Sequence, residues 1–299
     1  MRISNFTRHM ASAAVILAIS VLTVEASAQG FDAATVAADK ALSDRVPADI
    51  QAAGKLVGGS DNNYAPWEYL AGSDGQTPEG IDIDIGKALA AKLGLSYESR
   101  TAQFTTILPA LGTNFDIGLN AFSITPERLE VVNFVSYAET GNLWVIQKDN
   151  PKKFDSADIC GRTIAVNSGS SHEERLGVVN KQCVEAGKPE MVFLPFATQT
   201  EAVTRVAAGG ADATMTGSAT ALYAAFKSEG RLETMRATGD TLDFRGLNGI
   251  PVAKADMELT QLIADTMNAL IEDGTYQAVL DAWGMRDVGV EKALINPGK

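Results

Sequence analysis

Short apolar strands alternate with amphipathic helices in two successive rounds, and no other feature constrains the fold of this chain as strongly. In the first round, Leu56 to Ser60 reads as a strand, "DNNYAPWEYL" as a loop with an aromatic cluster, and "AGSDGQTPEG" as a turn. "IDIDIGKALAAKLG" reads as a helix closed by Gly94, "LSYESRTA" as a strand, "FTTILPALGT" as a helix and "FDIGLNAF" as a strand. The rhythm pauses around residues 137–150, where "LWVIQK" is a strand and "DNPKKFDSAD" a polar loop. In the second round the strands are "RTIAVN", "MVFLPF", "ADATMTG" and "GIPVAKAD", with helices between them and a long helical stretch after the last. This alternation predicts parallel strands with crossover helices, an α/β architecture. Residues 29–53 read as one or two short amphipathic helices, and residues 286–299 as a polar tail.

The 299 residues suffice for about two domains with separate cores. The first 28 stand apart: Arg2, Arg8 and His9 make a basic start, Ala11 to Val24 is largely apolar, and Ala26-Ser27-Ala28 is a small-x-small signal. A membrane anchor needs about 18–20 uninterrupted apolar residues. This run is shorter and carries Ser20 and Thr23, so the reading is a secretory signal peptide cleaved after Ala28. Arg2, Arg8 and Glu25 leave with it, which takes the formal charge from −12 to −13. Such acidity argues against a nucleic-acid or anionic-membrane partner. Cys160 and Cys183 are the only cysteines and, in an exported chain, are expected to pair. With no cysteine near the cleavage site for a lipid, the expected compartment is a periplasm.

Two strand-to-helix junctions stand out. In "SITPERLEVV", Thr125 sits like an N-cap, Pro126 like the first helical residue, and Glu127 and Arg128 fill the first turn. A helix start favours anions, so Arg128 breaks the rule. Either it leans outward and pairs with Glu127 or Glu130, or an anion is meant to sit there, held by free N–H groups and a guanidinium fork. The second junction is "TIAVNSGSSHEE", a strand, a glycine-containing turn and a helix start. One such junction in each domain could hold one anion from two sides.

Signals for catalysis and cofactors are weak. Once His9 leaves, His172 is the only histidine; no serine stands in a nucleophile elbow, and no metal cluster or phosphate-binding glycine loop is present. No cofactor and no metal are expected. Asp82 and Asp84 lie at a helix start, where acids serve the cap and the dipole.

The chain resembles the periplasmic solute-binding proteins of ABC importers, in the branch that takes polar amino acids. The resemblance rests on "YAPWEY" (64–69), "GIDIDIGKALAAKLG" (80–94), "FTTILPALGTNFDI" (104–117), "SITPERLEVVNFVSY" (123–137), "CGRTIAVNSGSS" (160–171), "AGGADA" (208–213) and "DGTYQAVLDAWG" (273–284), in the family's order. It implies a two-lobed, type II periplasmic-binding-protein fold with two hinge strands, each lobe a mostly parallel sheet flanked by helices. The implied division is a signal peptide at 1–28, a helical extension at 29–53, lobe 1 at 54–141 plus 247–285, lobe 2 at 142–246 and a tail at 286–299.

In proteins similar to this one, the arginine at the place of Arg128 binds the ligand's α-carboxylate, helped by groups at Ser123 and Ser171, and the segment Ser168 to Ser171, with Gly169 as a ligand-binding position, closes over it. Tyr64 and Phe104 match aromatic positions that sandwich the ligand side chain. Trp67 is expected to pack near the cleft wall. Asp61 matches an acidic position that meets a cationic ligand side chain in some relatives. Asn120 and Ala121 match positions that bond to the amino end. One departure stands out: Gly217 falls where the resemblance places an aspartate for the ligand's ammonium. The ligand is therefore either an amino acid whose amine is met by Thr216, Ser218 or Asn120 with Asp61 supplying charge, or a solute without a primary ammonium, such as an N-substituted or cyclic amino acid, a compatible solute such as ectoine or a betaine, or a carboxylate. The implied partners are that small solute and an inner-membrane ABC permease, with the chain a monomer and not an enzyme. The rival reading is an exported dehydratase of the cyclohexadienyl or arogenate kind on the same scaffold, with Glu173 or Glu139 as the acid.

Overall fold

The computed structural model describes residues 31–298; the signal segment and its cleavage after Ala28 lie outside the described residues. Two five-stranded sheets, each flanked by helices, form two lobes. In the first sheet Ser96–Thr101, Lys55–Ser60 and Ile117–Gly118 run parallel, and Gly246–Ala253 and Val132–Thr140 complete it antiparallel. In the second, Val192–Phe196, Thr163–Asn167 and Ala213–Gly217 run parallel, followed by antiparallel Asn142–Gln147 and Leu232–Arg236. The parallel set thus stops at three strands per sheet. Chain connectivity explains the rest. The strand that leaves the first sheet at Thr140 and the strand that returns at Gly246 lie side by side, so they must run in opposite directions.

The first lobe's core gathers Leu56, Ile81, Ile85, Leu89, Ile250 and Met267. The second lobe's core gathers Trp144, Ile164, Val166, Leu176 and Met215. The helix Ile81–Lys92 ends as expected at Gly94, which adopts φ +73°. There Leu95 N–H reaches Ala90 O and Gly94 N–H reaches Ala91 O, the paired bonds of a Schellman end.

Four expectations need correction. "DNNYAPWEYL" is not a loop: Asn63–Tyr64, Glu68–Ala71 and Thr77–Glu79 form a small antiparallel sheet, turned at Gly72 and Gly75 with positive φ. The helix read over "FTTILPALGT" is a single α-turn, Phe104–Ile107, running into a 3-10 turn that carries Pro109. Asp82 and Asp84 are not caps, because Gly80 holds the N-cap position and both carboxylates are buried in tertiary contacts. Asp84 accepts from Trp283 Nε1 at 2.9 Å, and Asp82 from the Tyr137 hydroxyl at 2.6 Å. The tail is not merely a polar extension. Ser136 N–H donates to Leu294 O, Leu294 N–H to Ser136 Oγ, and Ile295 bridges Val135. Val132–Thr140 is the edge strand of its sheet, and covering it removes a row of unpaired backbone groups.

Cys160 and Cys183 are joined, pinning the helix Ser171–Glu185 to the turn that precedes Thr163–Asn167. The bridge closes a sequence separation of 23 residues. On the loop-entropy account it stabilises by about 3 kcal/mol. Replacing both cysteines by serine should therefore lower the unfolding free energy by about that amount in a urea titration; an unchanged midpoint would contradict the assignment.

Candidate functional site

The cleft between the lobes holds a cavity of about 630 Å³ of empty space, its mouth included, with walls from both sheets and from the strands that join them. Arg128 reaches it from the short helix Pro126–Val131. That helix forms as its sequence predicts: Thr125 caps it by accepting from Arg128 N–H at 3.3 Å, and Pro126 opens it. The Arg128 side chain folds inward and is buried. Nη1 donates to Ser123 O at 3.0 Å and Nη2 to Gly169 O at 3.1 Å, so the guanidinium bridges the lobes. Its carbon lies 5.7 Å from the ring centres of both Phe104 and Phe122, which stack on each other at 5.1 Å. Among the described residues it pairs with no carboxylate at ion-pair distance: neither Glu127 nor Glu130 takes it up. Burial pushes its pKa down, and Glu174 and Glu127 partly offset that.

The opposite wall is the second junction. Ser170 caps the helix Ser171–Glu185 by accepting from Glu173 N–H, and Glu173 returns by accepting Gly169 N–H at 2.7 Å. Gly169 sits at φ +75°, and its carbonyl thereby faces Arg128. Ser171 Oγ donates to Ser123 Oγ across the cleft at 3.0 Å. A further link is Tyr64, whose hydroxyl bonds Thr216 Oγ1 at 2.8 Å and accepts Gly217 N–H at 3.1 Å. Outside the cavity, Thr200 Oγ1 donates to Asn63 O at 2.9 Å, also between lobes. The lobes are therefore closed on one another.

Of the residues singled out from sequence, Tyr64, Phe104, Asn120, Ala121, Ser123, Arg128, Ser171 and Gly217 line this cavity, and so does Trp67. Gly169 contributes its carbonyl through Arg128. Asp61 is placed elsewhere: it lies behind the wall, its backbone N–H on Asn120 Oδ1 and its carboxylate accepting Asn63 N–H at 2.8 Å. Ala121 adopts φ +42°, held by Asp82, which accepts its N–H at 2.7 Å, and by Asn248, which donates to its carbonyl at 2.6 Å. Asn248 lies on a hinge strand and also takes Thr140 Oγ1 from the other, at 2.9 Å.

Sequence reading missed Asn142, Asn167, His172 and Asn248 as wall residues. For the three asparagines the signal was a place beside or inside an otherwise apolar strand, "NLWVIQ", "TIAVN" and "GLNGIPVA", where burial demands a polar partner. His172 Nε2 bonds Asn142 Oδ1 at 2.8 Å, and burial, with Arg128 and Arg175 nearby, lowers its pKa to about 4. It is neutral in this setting. Behind the wall, burial raises Asp61 and Asp82 each to about 6. Glu68 lies fully buried beside them, and burial plus their charges hold its carboxyl protonated well above the usual range.

A family model for bacterial extracellular solute-binding proteins, family 3, matches residues 56–286. The arginine-binding protein ArgT of Corynebacterium glutamicum is 31% identical over 255 residues, 84% of this chain and 81% of that protein. Among solved structures, an ancestral arginine-binding protein bound to arginine aligns with a TM-score of 0.67 at 29% identity, covering 77% of this chain and 98% of the other. The ancestral amino acid-binding protein AncCDT-1, a precursor of cyclohexadienyl dehydratase, aligns with a TM-score of 0.65 at 29% identity, covering 79% and 97%.

The buried acids set a pH dependence. Asp61 and Asp82 hold protons more tightly folded, near 6, than an ordinary aspartate at 3.8. Their stabilising contribution is full below about pH 4 and is lost as pH rises through about 6. Glu98, Glu127, Glu233 and Asp273 shift the other way, but they lie at the surface, where solvent screens them. Thermal midpoints from pH 4 to 7 should therefore fall less steeply in Asp82→Asn than in the unaltered chain. Equal slopes would contradict the assignment.

Proposed function

The chain belongs to the bacterial extracellular solute-binding proteins of family 3, and from that premise we propose that it captures a small carboxylate-bearing solute, an amino acid or a derivative, and delivers it to an ABC importer. One observation carries this reading: a buried arginine in the cleft, with carbonyls and aromatic faces as its partners and, among the described residues, no carboxylate. A guanidinium so placed binds an incoming carboxylate by two parallel charge-assisted bonds.

In this proposal the open form binds through Arg128 and Ser123 of lobe 1, residues 54–141 plus 247–285. Lobe 2, residues 142–246, then closes with Gly169 and Ser171. The ligand's contacts to both lobes shift the population toward the closed state. Tyr64 and Phe104 flank the ligand, Asn120 offers its side-chain amide, Ala121 offers only the remaining lone pair of its carbonyl, and Gly217 leaves room beside Tyr64. The closed monomer then docks on a permease in the inner membrane, which places its work in a periplasm. Asp61, one layer behind the wall, tunes the floor rather than touching the ligand.

The reading excludes chemistry on the ligand, and the geometry supports that. Neither acid that a dehydratase reading would use lines the cavity, and both already hold partners, Glu173 the Gly169 N–H and Glu139 the Arg245 guanidinium at 3.3 Å. His172 is neutral and bonded to Asn142. Because AncCDT-1 is described as a dehydratase precursor, incubation of the pure protein with prephenate is the direct check, and no turnover is expected.

Arg128→Ala should fold with an unchanged circular dichroism spectrum and weaken binding of the protein's solute at least about tenfold, the loss of a charge-assisted pair of roughly 1.5 kcal/mol or more. Arg128→Lys should recover only part, because an ammonium lacks the planar fork. Calorimetric titration decides; affinity within threefold of the unaltered protein would contradict the proposal.

A further inference from the structure

Apart from Arg128, no residue among the described lining of the cavity carries a formal charge at neutral pH: no aspartate or glutamate lines it, and His172 is neutral. A zwitterion closed between the lobes would rest its carboxylate on Arg128 and leave an ammonium against neutral groups. Enclosing an ammonium without a counter-charge is heavily unfavourable. The nearby acids do not remedy this. Asp61 faces Asn63 N–H, Asp82 is taken by Ala121 N–H and the Tyr137 hydroxyl, and Glu68 is shut in beside them, all behind the wall made by Asn120 and Ala121.

The second lobe's facing strand offers no acid either. The Tyr64 hydroxyl crosses the cleft to Thr216 Oγ1 and Gly217 N–H, and a Cβ added at Gly217 would stand 3.1 Å from that hydroxyl. An aromatic cage for a quaternary nitrogen is incomplete, because of the four lining aromatics Trp67 packs edge-on against Tyr137 and two more are engaged, which leaves the Tyr64 ring. Phe244 lies under the Arg175 guanidinium at 3.5 Å, and Phe104 is stacked on Phe122 beside Arg128. One lining group has an open acceptor. Asn167 is buried, and its Oδ1 has no hydrogen-bond partner, so it accepts from a donor on whatever fills the cavity.

We infer that the solute is a monoanion, with one carboxylate for Arg128, no cationic nitrogen, and a neutral N–H or O–H donor for Asn167, as in an N-acylated amino acid or a 2-hydroxy acid. The inference rests on the carboxylate-binding reading and narrows it. The net charge of ligand plus cavity is then zero, and no buried ion is left unmatched.

The test uses the chain purified in full, unfolded to release any solute and refolded. It is titrated calorimetrically with matched sets that share a side chain: the free amino acid, its N-acetyl form, its 2-hydroxy acid and its N-trimethyl betaine. The sets span acidic, polar, aliphatic and basic side chains. In the set that binds most tightly, the N-acetyl or 2-hydroxy member should bind at least tenfold more tightly than the free amino acid and the betaine. Asn167→Ala should weaken that member. A free amino acid or a betaine that binds more tightly than its neutral-nitrogen and hydroxy counterparts, with Arg128→Ala still abolishing binding, overturns the inference and leaves the carboxylate reading standing. Binding of no member at millimolar concentration, or binding indifferent to Arg128→Ala, overturns both.

Discussion

A guanidinium enclosed without a counter-ion governs this structure. Taking Arg128 out of water is costly, and two carbonyls and two aromatic faces return only part of that cost. The local helix gives no help, since a cation in a first turn opposes the dipole. The tertiary arrangement accepts both penalties. What it gains is a fixed positive charge in a low-dielectric cleft, where attraction to an anion is far stronger than in water. The two strand-to-helix junctions and their caps place that charge between Ser123 and Gly169.

The wall beside the charge is tied to the hinge through few bonds. Ala121 keeps a left-handed backbone because Asp82 holds its N–H and Asn248 its carbonyl. Asp82 also takes the Tyr137 hydroxyl and Asn248 the Thr140 hydroxyl, both on the strand that leaves the first lobe. Cavity wall and hinge therefore share side chains. Apart from the charge-assisted bond from Arg128 to Gly169 O, the direct links across the cavity are neutral hydrogen bonds worth about 1 kcal/mol net each, so closure rests on few bonds. A ligand that bonds to both lobes at once adds what such closure lacks.

The α/β rhythm was legible in the sequence because strand and helix periods survive burial. Gly94 ended its helix as read, and Thr125 and Pro126 began theirs. Three things were not legible. "DNNYAPWEYL" hid a small sheet, since its strands are very short and broken by turn-forming residues. "LETMR" became an edge strand, although its polar alternation gave no apolar run to read. Asp82 and Asp84 looked like first-turn acids, and only the fold brings Tyr137, Ala121 and Trp283 to them. The site divided likewise. Arg128 was conspicuous because it violates a local rule, whereas Asn142, Asn167 and Asn248 violate nothing until their strands are buried.

The most direct test is a crystal structure of the protein purified without unfolding, with whatever solute it carries, read at the Arg128 guanidinium. A carboxylate of the solute held by both terminal nitrogens in the closed cleft is the predicted result. A solute seated between the lobes while that side chain keeps only Ser123 and Gly169 as partners would contradict the role given to the charge.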